Sequence, residues 1–251
     1  QPGHGGLVQQ RAVGDQVQLH RARRQGVDDL ERDARTRLGQ LVEPDEAGRS
    51  RHVLAEQRTG TCRVRADQAE PVTTIVVVGS GMIGLLIVQA LRWAGAKRIV
   101  AVDLAENRLT LARRLGATHT FNPSTSDVAA EVARLTEGLG ADAAFEVVGL
   151  TPTVNLAIAV LKRSGSCVLV GNLSPKTQDF PLQAVVTKEI TVTGTCSSAG
   201  EYPLCLDLIA RGIIRVEPMI SAVAPLAEGA AWFEKLSAKD GAKFMKVILA
   251  P

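Results

Sequence analysis

Apolar runs alternate with helix-like segments from about residue 72 onward. Residues 73–78 form a continuous, mostly β-branched run, which is typical of a strand buried on both faces. A glycine-rich stretch and a helix to about Trp93 follow. Residues 98–102 are the second predicted strand, and the next helix, 105–115, is expected to end with Gly116 as its C-cap.

The same alternation continues to about residue 194. One helix is predicted to have Thr151 at its N-cap and Pro152 in its first turn. The remaining strands are predicted near residues 117–121, 141–148, 167–170 and 189–194. Six strands joined by right-handed helical crossovers predict an α/β fold with a doubly wound parallel six-stranded Rossmann sheet over residues 72–213.

Residues 1–71 differ sharply from the rest of the chain. They hold twelve Arg and no Lys, no aromatic residue and thirteen large aliphatic residues, whereas residues 72–150 hold twenty-nine large apolar residues. Since ordering a chain requires enough buried apolar surface, this segment is predicted to be poorly structured. Two interpretations stay open: a native segment with little core, and a GC-rich reading frame translated out of register.

The first predicted strand ends in the glycine loop Gly79-Ser80-Gly81-Met82-Ile83-Gly84. In this position the first glycine permits a tight turn, the second admits a pyrophosphate, and the third allows close packing of helix and strand. Asp103 follows the second strand, where its carboxylate can accept hydrogen bonds from the adenosine ribose and repel a 2′-phosphate. The pattern therefore predicts NAD(H) as cofactor. An N-cap role for Asp103 and a 2′-phosphate contact from Arg108 are the alternatives.

From residue 72 to the end, the chain resembles the zinc-containing medium-chain alcohol and polyol dehydrogenases, including sorbitol and threonine dehydrogenases. The matching segments are GSGMIG, AVDLAENRLTLARRLGA, ADAAFEVVG, CVLVGNL, EITVTGTCSSAGEYPLCLDLIARGII and KFMKVILAP. The resemblance implies that Asp103 and Arg108 contact the adenosine ribose. It also implies that the nicotinamide end is lined by Val148, Gly149, Val170, Gly171, Asn172, Thr195, Cys196 and Ser197.

The family's catalytic zinc ligands are not recognisable in this sequence. The four cysteines show no zinc-binding spacing, and we expect them to be small buried thiols. His4 lies in Gly-His-Gly without the Glu that follows the family's ligand, and His20, His52 and His119 are isolated. We therefore expect no metal ligands in this chain, although the resemblance implies zinc, and no catalytic residue is assigned.

Residues 214–251 resemble the tail that returns to the family's catalytic domain. Residues 225–236 are predicted to form an amphipathic helix that turns Leu226, Ala230, Phe233 and Leu236 toward a core. Residues 244–249 are predicted to form a final strand, which has no proper sheet to join if the catalytic domain is absent. The apolar face beneath it is then exposed or paired with another subunit.

Three functions stay open at this point. The first is NAD-dependent oxidation of a small-molecule secondary alcohol or polyol. The second is NAD(H) binding without turnover. The third is a dinucleotide domain with a phosphate-binding arm that includes Arg21, Arg23 and Arg24.

The formal net charge of +3 gives no general reason to expect nucleic acid, and the longest apolar stretch, 82–91, is too short to span a bilayer. We expect a cytoplasmic protein. The family resemblance implies a homo-oligomer that associates through the edge strand near residues 189–194.

Overall fold

A computed structural model describes residues 73–171, 179–198, 200–238, 241 and 243–251. The predicted poorly structured segment 1–71, with its arginine-rich arm and the isolated His4, His20 and His52, lies outside the described residues.

Six parallel strands form the central sheet in the order β3-β2-β1-β4-β5-β6. The strands are β1 (Thr74–Val78), β2 (Arg98–Val102), β3 (His119–Phe121), β4 (Ala141–Glu146), β5 (Leu161–Leu169) and β6 (Thr191–Gly194). The connecting helices are α1 (Met82–Trp93), α2 (Glu106–Leu115), α3 (Val128–Leu135), α4 (Thr151–Ala159) and α5 (Leu182–Thr187), and α6 (Tyr202–Ala210) follows the last strand. The predicted doubly wound six-stranded sheet is confirmed.

Two apolar clusters cover the two faces of this sheet. On one face Val76 and Val78 of β1 pack in a cluster with Ile158 of α4. On the other, Val77 of β1 packs with Leu85 of α1. All five residues of β1 are buried, which is why its side chains are apolar or β-branched without alternation.

Several predicted boundaries shift. The strand expected at 167–170 begins earlier, at Leu161. Its start was not predicted because the polar residues Lys162, Arg163 and Ser164 interrupt the apolar pattern. Leu150, not Thr151, is the N-cap of α4. Gly116 is the C-cap of α2 with φ 121°, as predicted.

The C-terminal segment contains an element that the sequence pattern did not predict. A strand β7 (Ile220–Pro225) pairs in parallel with β8 (Lys246–Ala250), so the final strand does have a partner. A short 3-10 helix (Leu226–Glu228) precedes α7 (Gly229–Ser237), where a single helix over 225–236 was expected.

The prediction that α7 and the residues before it turn four apolar side chains toward a core is wrong. Leu226 is 62% exposed, Phe233 is 71% exposed and Leu236 is 41% exposed, and Ala230 is also exposed. Periodicity locates an apolar stripe, but the stripe is buried only where another element of the structure packs against it.

The cysteines divide by environment. Cys167 is buried on β5, as expected, but Cys196 and Cys205 are exposed. Cys205 is exposed as a residue, but partial burial of its thiol, and then the charge of nearby Glu201, raise its pKa above the ordinary value. Cys62 lies outside the described residues.

No helix in the described part of the chain is long and apolar enough to cross a membrane.

Candidate functional site

The residues predicted to bind the cofactor gather at one edge of the sheet, where the strands have their carboxyl ends. The glycine loop follows β1, and Asp103 follows β2. The strand order reverses direction at β1, which has β2 on one side and β4 on the other. Open α/β sheets bind ligands in the crevice at this kind of switch point.

The first and third glycines of the loop are required by the fold. Gly79 has φ 101°, and a Cβ there would lie 2.6 Å from Cγ2 of Val148. A Cβ on Gly84 would lie 1.9 Å from the carbonyl oxygen of Gly79. These two glycines therefore fix the tight turn and the close packing of α1 against β1.

Gly81 differs from both. Its φ of −70° is available to any residue, and a Cβ there would meet no atom within 4 Å. The first-turn N–H groups at Met82 and Ile83 have no intrahelical acceptors, as in any helix. No side chain at the N-cap position accepts a hydrogen bond from them. The loop thus leaves open space beside the positive end of a helix, which is an arrangement that binds phosphate.

Asp103 lies beside this space and holds the loop. Its side chain is 9% exposed, and its Oδ2 accepts a hydrogen bond from the backbone N–H of Ser80 at 2.8 Å. Its Oδ1 accepts from the N–H of Ala105, the N-cap residue of α2, at 2.9 Å. The guanidinium of Arg108 lies 3.7 Å from Oδ2. Asp103 is therefore not the helix N-cap, and the contact of Asp103 and Arg108 with the adenosine ribose stays a prediction.

Glu146 is a residue at this edge that the sequence pattern did not identify. This fully buried side chain at the end of β4 accepts hydrogen bonds through Oε1 from the N–H groups of Val148 and Gly149, at 2.9 and 2.8 Å. Its backbone carbonyl accepts from the N–H groups of Val170 and Gly171, at 2.8 and 3.0 Å. One residue thus joins the loops after β4 and β5. The only sequence signal was an acid in an apolar run.

These two loops are also in direct contact. A Cβ on Gly171 would clash with the backbone nitrogen of Gly149, so the two loops are packed with no room for a side chain between them. Asn172 lies outside the described residues.

The third predicted nicotinamide segment follows β6. The N–H of Thr195 donates to the carbonyl of Leu169 at 3.0 Å, which places this segment beside the end of β5. Cys196 and Ser197 follow, with Sγ and Oγ 3.6 Å apart. All described residues assigned to the nicotinamide end therefore lie along one edge, although their contact with a cofactor stays a prediction.

Within the described residues, no group of three or more His, Cys, Asp or Glu side chains could hold a metal ion. These residues therefore do not fit the family's zinc ion.

Residues 83–211 match the model of a family described as zinc-binding dehydrogenase. The chain belongs to the zinc-binding dehydrogenase family. It is 33% identical over 178 residues to a D-xylulose reductase A of Aspergillus niger, covering 69% of this chain and 49% of that protein.

Solved structures of dehydrogenases also match this chain. A 2R,3R-butanediol dehydrogenase from Bacillus subtilis matches with a TM-score of 0.65 and 32% identity, over 72% of this chain and 51% of that one. A protein from Sinorhizobium meliloti, bound to NADP, matches with a TM-score of 0.66 and 29% identity, over 72% of this chain and 53% of that one. The chain spans about half the length of the relatives it matches.

Gly81 and Gly84 are expected to respond differently to replacement by alanine. Gly84→Ala should lower the free energy of unfolding by about 3 kcal/mol, because the added Cβ meets backbone that cannot move aside. Gly81→Ala should cost less than about 1 kcal/mol, the difference between Gly and Ala at an N-cap. Urea denaturation measures both, and equal losses would contradict the assignment of Gly84 to packing and Gly81 to ligand space.

Replacing Glu146 tests whether its carboxylate organises the site. Glu146→Gln keeps an acceptor for both N–H groups and puts Nε2 in place of an oxygen, Oε2, that has no hydrogen-bond partner among the described residues. We expect it to stay within about 1 kcal/mol of the parent. Glu146→Leu leaves both N–H groups unpaired and should lose about 2–4 kcal/mol in urea denaturation. A leucine variant as stable as the glutamine variant would show that these hydrogen bonds are dispensable.

Proposed function

We propose that this chain binds NAD(H) in the crevice at the carboxyl edge of its sheet, as the cofactor-binding part of a zinc-type alcohol or polyol dehydrogenase. The observation that carries the proposal is the open space at Gly81, where a Cβ would meet no atom although the glycines on either side are tightly packed. A diphosphate placed there faces the uncapped amino end of α1.

The charge of Asp103 favours NAD(H) over NADP(H). Its carboxylate is nearly buried at the loop, where it can accept hydrogen bonds from ribose hydroxyls and where a 2′-phosphate would meet a negative charge. Arg108 opposes this effect, since its guanidinium could pair with a 2′-phosphate. NADP in the Sinorhizobium meliloti relative makes the cofactor choice a direct test of this balance.

The bound nicotinamide accepts or donates a hydride, and the protein orients it. In this chain that role falls to the two loops held by Glu146, Val148–Gly149 and Val170–Gly171, with Thr195–Ser197 beside them. The names of two relatives, a D-xylulose reductase and a butanediol dehydrogenase, support a secondary alcohol or polyol as substrate. No proton-transfer step is assigned to the described residues.

NAD(H) binding without turnover is the second candidate, and it rests on the described residues, which hold no group of three or more His, Cys, Asp or Glu side chains that could bind a metal ion. Titration with NADH and assays with sorbitol, threonine and 2,3-butanediol in the presence of Zn²⁺ separate the two. Binding with alcohol oxidation supports the dehydrogenase, and binding alone supports the second candidate. Absence of binding would refute both.

We also propose that the chain self-associates through β6. This strand lies at the edge of the sheet, and three of its four residues are exposed. An exposed edge presents unpaired backbone groups to a second strand.

A cytoplasmic location stays a prediction.

Replacing Gly81 with an acid should separate stability from binding. Gly81→Asp places a good N-cap at the start of α1 and should raise the free energy of unfolding by a few tenths of a kcal/mol. The same carboxylate occupies the space for the diphosphate and repels it, so NADH affinity should fall about a hundredfold. NADH fluorescence titration measures the loss, and unchanged affinity in this variant would refute the binding mode.

Replacing Asp103 tests the choice of cofactor. Asp103→Asn keeps a neutral amide beside Ser80 but removes the negative charge, so NADH should bind about tenfold more weakly while discrimination against NADPH shrinks. The matched control is Asp127→Asn, where the acid caps α3, away from the crevice. Parallel titrations give the affinities for NADH and NADPH. An unchanged ratio of these two affinities in Asp103→Asn would contradict the role of Asp103 in cofactor choice.

A further inference from the structure

A second cavity lies at the opposite end of α1 from the glycine loop. Its volume is about 320 Å³, and it lies between the last turns of α1 and α2 and the segment after α6. Because α1 begins at the carboxyl edge of the sheet and runs back across it, this cavity opens at the other edge. It shares no residue with the proposed cofactor site.

Four arginines line this cavity, and no acidic residue does. They are Arg92 from α1, Arg113 and Arg114 from α2, and Arg215 from the segment after α6. All four are exposed, and none forms an ion pair with a carboxylate in the part of the chain that the structure describes.

The helix ends explain only part of this clustering. A basic residue in the last turn of a helix is stabilised by the helix dipole, which accounts for Arg92, Arg113 and Arg114 taken singly but not for Arg215. Arg215 adds one hydrogen bond from its Nη2 to the carbonyl of Arg114 at 2.7 Å. All four arginines line the same space, so a bound anion would relieve the repulsion between their charges.

A buried side chain holds the most distant arginine in place. Gln89 of α1 is 3% exposed and makes two hydrogen bonds to the backbone of Arg215. Its Oε1 accepts from the N–H of Arg215 at 2.8 Å, and its Nε2 donates to the carbonyl at 3.1 Å. The backbone that carries Arg215 is therefore fixed against α1 before any ligand arrives.

We infer that this cavity binds a small molecule carrying a diphosphate or triphosphate group. Guanidinium forks match phosphate oxygens in bidentate geometry, and four of them are suited to a ligand with several negative charges rather than one. The volume accommodates a polyphosphate chain, and Trp93 is one of the lining residues. The site is independent of the proposed cofactor crevice.

Trp93 provides the reporter for the experiment. The sequence has two tryptophans, so Trp232→Phe leaves Trp93 as the only one. Titration of this variant with inorganic triphosphate should change the Trp93 fluorescence saturably, and inorganic phosphate should bind more weakly. Gly81→Asp, which blocks the proposed cofactor crevice and does not line this cavity, should leave the triphosphate affinity unchanged. No fluorescence response to triphosphate, or loss of triphosphate affinity in Gly81→Asp, would overturn the inference.

Paired charge removals test the arginines. In the Trp232→Phe background, Arg92→Gln with Arg113→Gln should weaken triphosphate binding at least about tenfold. The matched control, Arg134→Gln with Arg163→Gln, removes the same charge from exposed ion pairs away from the cavity and should leave binding within about twofold. Urea denaturation checks that both double variants are folded. Equal losses of triphosphate affinity in the two double variants would show non-specific attraction and overturn the inference.

ATP distinguishes the two sources of such a group. Tighter binding of ATP than of triphosphate supports a nucleotide that also contacts Trp93. Equal affinities support recognition of the polyphosphate chain alone.

Discussion

The close approach of α1 to β1 is the constraint on which the crevice depends. Gly84 lies so near the carbonyl of Gly79 that a Cβ would come within 1.9 Å of the oxygen. This contact sets the direction in which the helix leaves the sheet and points its uncapped amino end at the sheet edge. Because all six strands are parallel, their carboxyl ends meet at this same edge. The absence of a side chain at Gly84 therefore places a positive helix end at the sheet edge where the loops after the strands begin.

Two acidic side chains then fix the loops around that helix end. Asp103 accepts backbone hydrogen bonds from the glycine loop and from the start of α2. Glu146 accepts two from the loop after β4, and its carbonyl accepts two from the loop after β5. Each of these acids is nearly or fully buried. A crevice held in this way loses little conformational entropy when a ligand binds, and this offsets the cost of keeping two acids out of water.

The helix α1 also connects the two ends of the domain. Its amino end is open at Gly81, and its carboxyl end carries Arg92 into the second cavity. Gln89, one turn before that end, ties the segment of Arg215 to the same helix. Positive potential is therefore present at both ends of α1, but from different sources: backbone N–H groups at one end and guanidinium groups at the other.

The sequence by itself determined the six strands of the central sheet, the helices between them and the glycine loop, because these follow from local patterns: a β-branched run before Gly79, a glycine at each tight turn and an acid after the second strand. The pairing of β7 with β8, the role of Glu146 and the meeting of Arg92 with Arg215 were decided only by the tertiary structure. Each depends on contacts between residues far apart in the chain or on which faces are covered, and periodicity reports neither. For the same reason the apolar stripe around Phe233 was located correctly but was wrongly expected to be buried.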